Sequence, residues 1–189
     1  MDRNLLNGTK AMSDPAFLTA HFTLGAETID AEFRLTLDNR LEEVWAALTE
    51  PAWLAKWLAP GEIEVRPGGV ARLDFGDSGG VIDSRVTAIE APRLLEYSWS
   101  IPGEPLRPLR WELEPIGAAT LLTLRLRLPA IEDAGRAAAG WSAHLEMLQT
   151  ALVGVPTKFP FEVFRAARDV FREQVDELRA AQRPAQISA

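Results

Sequence analysis

TLLTLRLRLPAIEDAGRAAAGWSAHLEMLQTALVG, residues 120–154, changes its hydrophobic period once, and that change decides the fold. Over Thr120–Leu128 the leucines at 122, 124, 126 and 128 recur every second residue, with Arg125 and Arg127 between them. That is a strand with one buried face. Pro129–Arg136 reads as a loop. From Ala137 to Val153 the spacing becomes helical, with Trp141, Leu145, Leu148 and Leu152 as the stripe. Gly154 stops the helix and Pro156 prevents its resumption. At 1.5 Å per residue such a helix is about 25 Å long, enough to cross a sheet.

What precedes it is mostly strand. Ile29, Ala31, Phe33, Leu35 and Leu37 alternate with Asp30, Glu32, Arg34 and Thr36. The period then turns helical. Asn39 with Glu42 reads as a capping box, followed by Leu41, Val44, Trp45 and Leu48. Thr49 caps a second short helix, with Pro51 in its first turn and Trp53, Leu54 and Trp57 as its stripe, ended by Ala59-Pro60-Gly61. Five more strands follow at Glu62–Arg66, Val70–Phe75, Val81–Ile89, Leu94–Ser100 and Leu109–Glu114, punctuated by Gly- and Pro-rich turns. Short strands so joined predict an antiparallel meander. About seven strands present one apolar face, which only the long helix can cover. The expected architecture is therefore α+β, a curved sheet wrapped around a long helix with a cavity between.

The ends are read as additions. Residues 1–27 form an N-terminal arm in which Ser13-Asp14-Pro15 either opens a short helix toward Phe17 and Leu18 or belongs to a loosely docked stretch. Residues 28–154 are the domain. Residues 155–189 are an extension with an amphipathic helix from about Phe161 to Ala181, its apolar side formed by Phe164, Ala167, Phe171, Val175 and Leu178. With the sheet already covered, that side is expected to pack either on the outside of its own domain or, the favoured reading, against a second copy in a two-fold homodimer.

Composition removes whole classes of function. The 189 residues carry 20 basic and 27 acidic side chains, a formal charge of −7. That opposes a nucleic-acid groove or docking on anionic lipid. There is no cysteine and there are two histidines, His21 and His144, so thiolate chemistry and a local histidine metal motif are absent, and neither metal nor cofactor is expected. No leader or membrane span is read, and the expected compartment is the cytoplasm.

Three runs carry a resemblance. VWAALTEPAWLAKWLAP (44–60), VTAIEAPRLLEYSW (86–99) and GWSAHLEMLQTAL (140–152) resemble, in that order, the START-like or SRPBCC helix-grip proteins. Within that superfamily they are most similar to the AHSA-type family related to the activator of the heat-shock protein 90 ATPase. The likeness covers roughly residues 28–154. It implies a helix-grip (START-like) fold and binding of a small hydrophobic, aromatic or lipid-like molecule between sheet and helix. Alternatives it also implies are a polyketide cyclase/aromatase-like enzyme, or a co-chaperone-like interaction module, ranked lower because the namesake's additional domain is not seen here. A histidine often found in the family soon after the last strand is missing from Leu126-Arg127-Leu128-Pro129, which puts any activity depending on it in doubt.

For the cavity, Trp57, Tyr97, Trp99, Trp111, His144 and Met147 are the candidate ligand-binding residues, since all lie on elements facing the grip. Core packing competes with this reading for every tryptophan. Pocket tryptophans should be those whose indole N–H lacks a protein acceptor. His144, one turn past Trp141, is a candidate acid or base, or else a helix-surface histidine. Arg72, Asp74, Asp83 and Arg85 are either cross-strand ion pairs on the wet face or polar anchors in the cavity; the period alone leaves both open.

Overall fold

The computed structural model describes residues 17–182. Eight strands form one antiparallel sheet: β1 His21–Leu24, β2 Thr28–Leu37, β3 Gly61–Ile63, β4 Val70–Asp74, β5 Val81–Glu90, β6 Leu94–Ser98, β7 Pro108–Ile116 and β8 Ala119–Pro129. Their order is β1-β2-β8-β7-β6-β5-β4-β3. Helices α1 Leu41–Thr49 and α2 Pro51–Trp57 fill the connection from β2 to β3; α3 Ala134–Leu152 and α4 Phe161–Ala181 follow the last strand. This is an α+β helix-grip fold. The first cap falls one residue later than the sequence suggests: Arg40 precedes α1, and its backbone N–H donates to Glu43 Oε2 at 3.1 Å. The helix start expected at Ser13-Asp14-Pro15 lies outside the described residues.

The inner face of the sheet is the alternating apolar set. Phe33 stands opposite Leu124, and Trp111 stands between Leu95 and Leu124. All four are buried. A one-residue slip would turn these side chains to water, which pins the register. The register of β5 against β6 shifts between Val86 and Ala88. Such a bulge bends a strand and helps the sheet curl. The outer face carries a ladder of charge: Glu32 binds Arg125 (2.7 Å), Arg125 also binds Glu112, Arg110 binds Glu112 (2.8 Å) and Glu96 (3.3 Å). Arg72 and Asp83 pair at 3.0 Å on the same wet side, Arg85 reaches Asp83 at 3.4 Å, and Asp74 accepts from the Gly76 N–H. The four charged strand residues are therefore wet-face pairs and turn contacts, and the cavity-anchor alternative falls.

One expectation is corrected and one open choice is narrowed. The sheet has eight strands where about seven were read, because His21–Leu24, placed in the arm, pairs with β2. The apolar side of α4 packs within the chain, the first of the two placements read for it. Ala167, Phe171 and Val175 are buried, with Phe164 and Leu178 packed against the core. The Phe171 ring lies 5.5 Å from Phe17, 5.6 Å from Phe22 and 6.3 Å from Phe33. The extra strand and the segment before it give the sheet a further apolar end; α3 touches that segment through Ser142, which donates to the Leu18 carbonyl at 3.0 Å, and α4 covers its phenylalanines. Arg179 donates to the carbonyls of Ala130 and Glu132, Gln182 donates to Leu24, and Arg172 pairs with Asp133, fastening α4 to the domain.

Candidate ligand-binding cleft

The helix α3 presents two kinds of surface. Leu145, Leu148, Ala151 and Leu152 are buried. Arg136, Gly140, Trp141, His144 and Met147, spaced three or four apart apart from the Trp141 step, line a cleft of about 740 Å³. That volume lies within the usual range for small-molecule sites. Leu58 after α2, Phe75 after β4 and Trp99 after β6 close one side; Phe159 from the connection into α4, with Phe161 and Phe164 of its first turn, closes the other. Glu132 and Asp133 lie at the rim.

The walls are rings in edge-to-face or tilted contact. Centroid distances are 5.6 Å for Phe75–Trp99, 4.7 Å for Trp99–Trp141, 5.7 Å for Trp141–His144 and 5.2 Å for His144–Phe159. Offsets of this kind suit the ring quadrupoles. His144 Nδ1 lies 3.4 Å from the Trp57 carbonyl oxygen. A carbonyl only accepts, so Nδ1 carries the hydrogen and Nε2 is left as an acceptor. Burial among the rings pulls the imidazole pKa down from 6.5 to about 4, against the smaller raising effect of the Trp57 carbonyl, so the ring is neutral at pH 7.

The rim is polar and largely self-paired. Arg107 holds Glu132 through two bonds of 2.8 and 2.9 Å, tying the loop after β6 to the start of α3. Asp133 caps α3 by accepting from the Arg136 backbone N–H at 2.9 Å. The Arg172 guanidinium beside it holds its carboxyl below the usual range. Among the described residues the Arg136 guanidinium makes no hydrogen bond or ion pair, and both nearby carboxylates are engaged by other arginines. The cleft thus has an aromatic body, a neutral imidazole within and, at its mouth, the Arg136 guanidinium, whose charge also helps hold Asp133 ionised without a direct ion pair among the described residues. Among the described residues, no group of three His, Asp or Glu side chains is placed to hold a metal ion.

Of the six candidate side chains, Trp99, His144 and Met147 line this cleft. Trp57, Tyr97 and Trp111 do not; each is 1% exposed and belongs to the core behind it. Trp111 packs on Trp57 at 6.1 Å and on Trp141 at 5.4 Å, so helix and sheet meet there without a gap. Burial raises the Tyr97 phenol far above its usual pKa, the main effect, with a hydrogen bond from the Trp111 side chain opposing it. The indole rule separates the sets: Trp57 Nε1 donates to the Ala47 carbonyl at 2.8 Å, whereas the Trp99 and Trp141 N–H groups have no acceptor among the described residues. Sequence reasoning missed Trp141, though it shares the helical spacing of His144. It also missed Arg136 and Gly140, and above all Phe159, which sits between Pro156 and Pro160 with no periodicity to reveal it.

The model of the family described as Activator of Hsp90 ATPase homolog 1-like protein matches residues 38–153. The chain belongs to that family. Among solved structures, CalU16 from Micromonospora echinospora has 22% identity over 85% of this chain and 98% of its own, with a TM-score of 0.69. The protein encoded by gene BPP1335 of Bordetella parapertussis has 29% identity over 84% and 92%, TM-score 0.61. DynU16, from the dynemicin biosynthetic locus, has 27% identity over 67% of this chain and 48% of its own, TM-score 0.60. CalU16 at this identity shows the fold alone. Comparison with curated proteins finds no match. No described helix is long and apolar enough to cross a membrane. The match to the Activator of Hsp90 ATPase homolog 1-like family ends at Val153, so Phe159, Phe161 and Phe164 belong to the segment beyond it.

Proposed function

We propose that this family member binds a small, predominantly aromatic molecule in the cleft between α3 and the segment leading into α4. The observation that carries the reading is the set of rings around His144, which offers a large apolar contact area and few polar groups. DynU16 comes from a biosynthetic locus, which favours a small-molecule ligand over a protein partner. The test is a titration with naphthoic acid, naphthol and palmitate, followed by tryptophan fluorescence, since Trp99 and Trp141 report from the cleft. The aromatic probes should quench saturably, and Phe161→Ala should weaken them. Tighter binding of palmitate than of either aromatic probe would overturn the reading.

A second reading, a cyclase-like enzyme, is favoured by one observation: the neutral His144 leaves Nε2 as a base inside the cleft. General base work needs such an acceptor within hydrogen-bond reach of the proton removed. It predicts that His144→Gln binds aromatic probes while losing any turnover of a polyketide-like substrate. Turnover retained in that variant would remove it.

A further inference from the structure

Two glycines lie within α3, and they are there for opposite reasons. Glycine is among the poorest residues for a helix interior. Gly135 has a packing reason: a Cβ there would fall 2.7 Å from the Arg172 backbone nitrogen and 2.8 Å from its Cα. It lets α4 cross against α3. Gly140 has no such reason. Its φ is not in the left-handed region, and, its chain neighbours and the adjacent turns of its own helix backbone aside, no atom of the described residues lies within 4 Å of where its Cβ would stand. That empty position opens into the cleft.

We propose that Gly140 is the specificity-determining floor of the cleft, leaving the α3 backbone bare for a flat, fused-ring ligand. The ligand's acidic group meets Arg136 and an O–H donor at its other end meets His144 Nε2. This deepens the proposed function and rests on it. Arg136, Gly140 and His144 succeed one another at four-residue spacing and so share a helix face. The first and last are about 12 Å apart along the axis, more than a single ring spans. The two ends differ in chemistry. The Arg136 guanidinium selects an anion and prefers a planar carboxylate. The imidazole Nε2, with Nδ1 turned to the Trp57 carbonyl, accepts from a hydroxyl and repels a carboxylate. The orientation of the ligand is fixed by that difference, and a side chain at 140 would stand between its two ends.

The experiment measures heat of binding and thermal melting together for wild type, Gly140→Ala and Gly140→Leu. The probe is a hydroxynaphthoic acid with hydroxyl and carboxylate at opposite ends of its two rings. Both variants should melt at the wild-type temperature or up to about 2–4 °C above it, because the new side chain meets open space and improves the helix. Binding should weaken, by about tenfold or more for Gly140→Leu, as expected when an added side chain overfills a site. Arg136→Gln should weaken the hydroxynaphthoic acid and leave naphthol unchanged. A Gly140→Leu protein that melts normally and binds the probe as wild type does would overturn the inference while leaving the aromatic cleft standing. A Gly140→Ala protein that melts well below wild type would overturn it too, by giving the glycine a structural reason. Failure of wild type to bind any aromatic probe would overturn both this and the proposed function.

Discussion

Along its length α4 meets the rest of the domain in two ways. At its middle and end it is sealed: Phe171 is fully buried against three other phenylalanines, Arg172 lies over Gly135, and Arg179 hydrogen-bonds the loop before α3. At its first turn it stands off, and Phe161 and Phe164, with Phe159 before them, face α3 across a cleft of about 740 Å³. The same helix pair is thus close-packed at one end and open at the other. What separates the two is side-chain placement: a glycine and a buried ring where the backbones approach, and a half-buried histidine, an exposed arginine and a glycine with open space beside it where they part. Packing accounts for Ala167, Phe171 and Val175 at the sealed end and leaves the rings of the open end facing a cleft, which is how a binding site differs from a core.

The contrast is broken most directly at Phe171. Phe171→Ala should cost about 3–5 kcal/mol, the usual effect of emptying a fully buried aromatic site, read from the midpoint of denaturant unfolding. It should also weaken aromatic probes, because the sealed end holds the cleft's second wall in place. A loss below about 1 kcal/mol would mean that α4 is not sealed there.

Acidification acts at the open end. An unfolded histidine titrates near 6.5, whereas His144 in the folded protein titrates near 4. Between these values the unfolded chain takes up a proton that the folded chain does not. The contribution is therefore fully present above pH 6.5 and is lost as pH falls toward 4, by up to about 3 kcal/mol. Unfolding free energies of wild type and His144→Gln across this window should differ in pH slope, wild type being the steeper. Equal slopes would show that the histidine is not held neutral by its ring neighbours.

Gly135→Ala sharpens the comparison by setting one glycine against the other. Its Cβ meets the α4 backbone, which has no flexible end to give way, so a loss of about 1–3 kcal/mol is expected. Gly140→Ala should show no loss. Similar melting of the two would erase the distinction between the faces of α3. The smallest effect belongs to Phe161→Ala. This ring is 64% exposed, so stability should stay within about 0.5 kcal/mol of wild type, while aromatic probes bind less tightly in calorimetry.

Much of this fold is legible from period alone. The alternation of Leu122, Leu124, Leu126 and Leu128 and the helical stripe of Trp141, Leu145, Leu148 and Leu152 determine a strand followed by a covering helix, because burial of one face forces those repeats. The stripe from Phe164 to Leu178 determines that α4 is amphipathic. The four residues of His21–Leu24 were too short to show a period, so the eighth strand was decided by pairing with β2. That strand in turn decided what α4 covers, since it brings Phe22 beside Phe171. Period says that a side chain is buried, not against what. Tyr97 and Trp111 therefore read as cavity walls, although Trp141 packs directly against Trp111. The cleft itself depends on residues distant in sequence, from Leu58 to Phe164. Their meeting is set by how α4 folds back over α3, a non-local contact that no local repeat encodes.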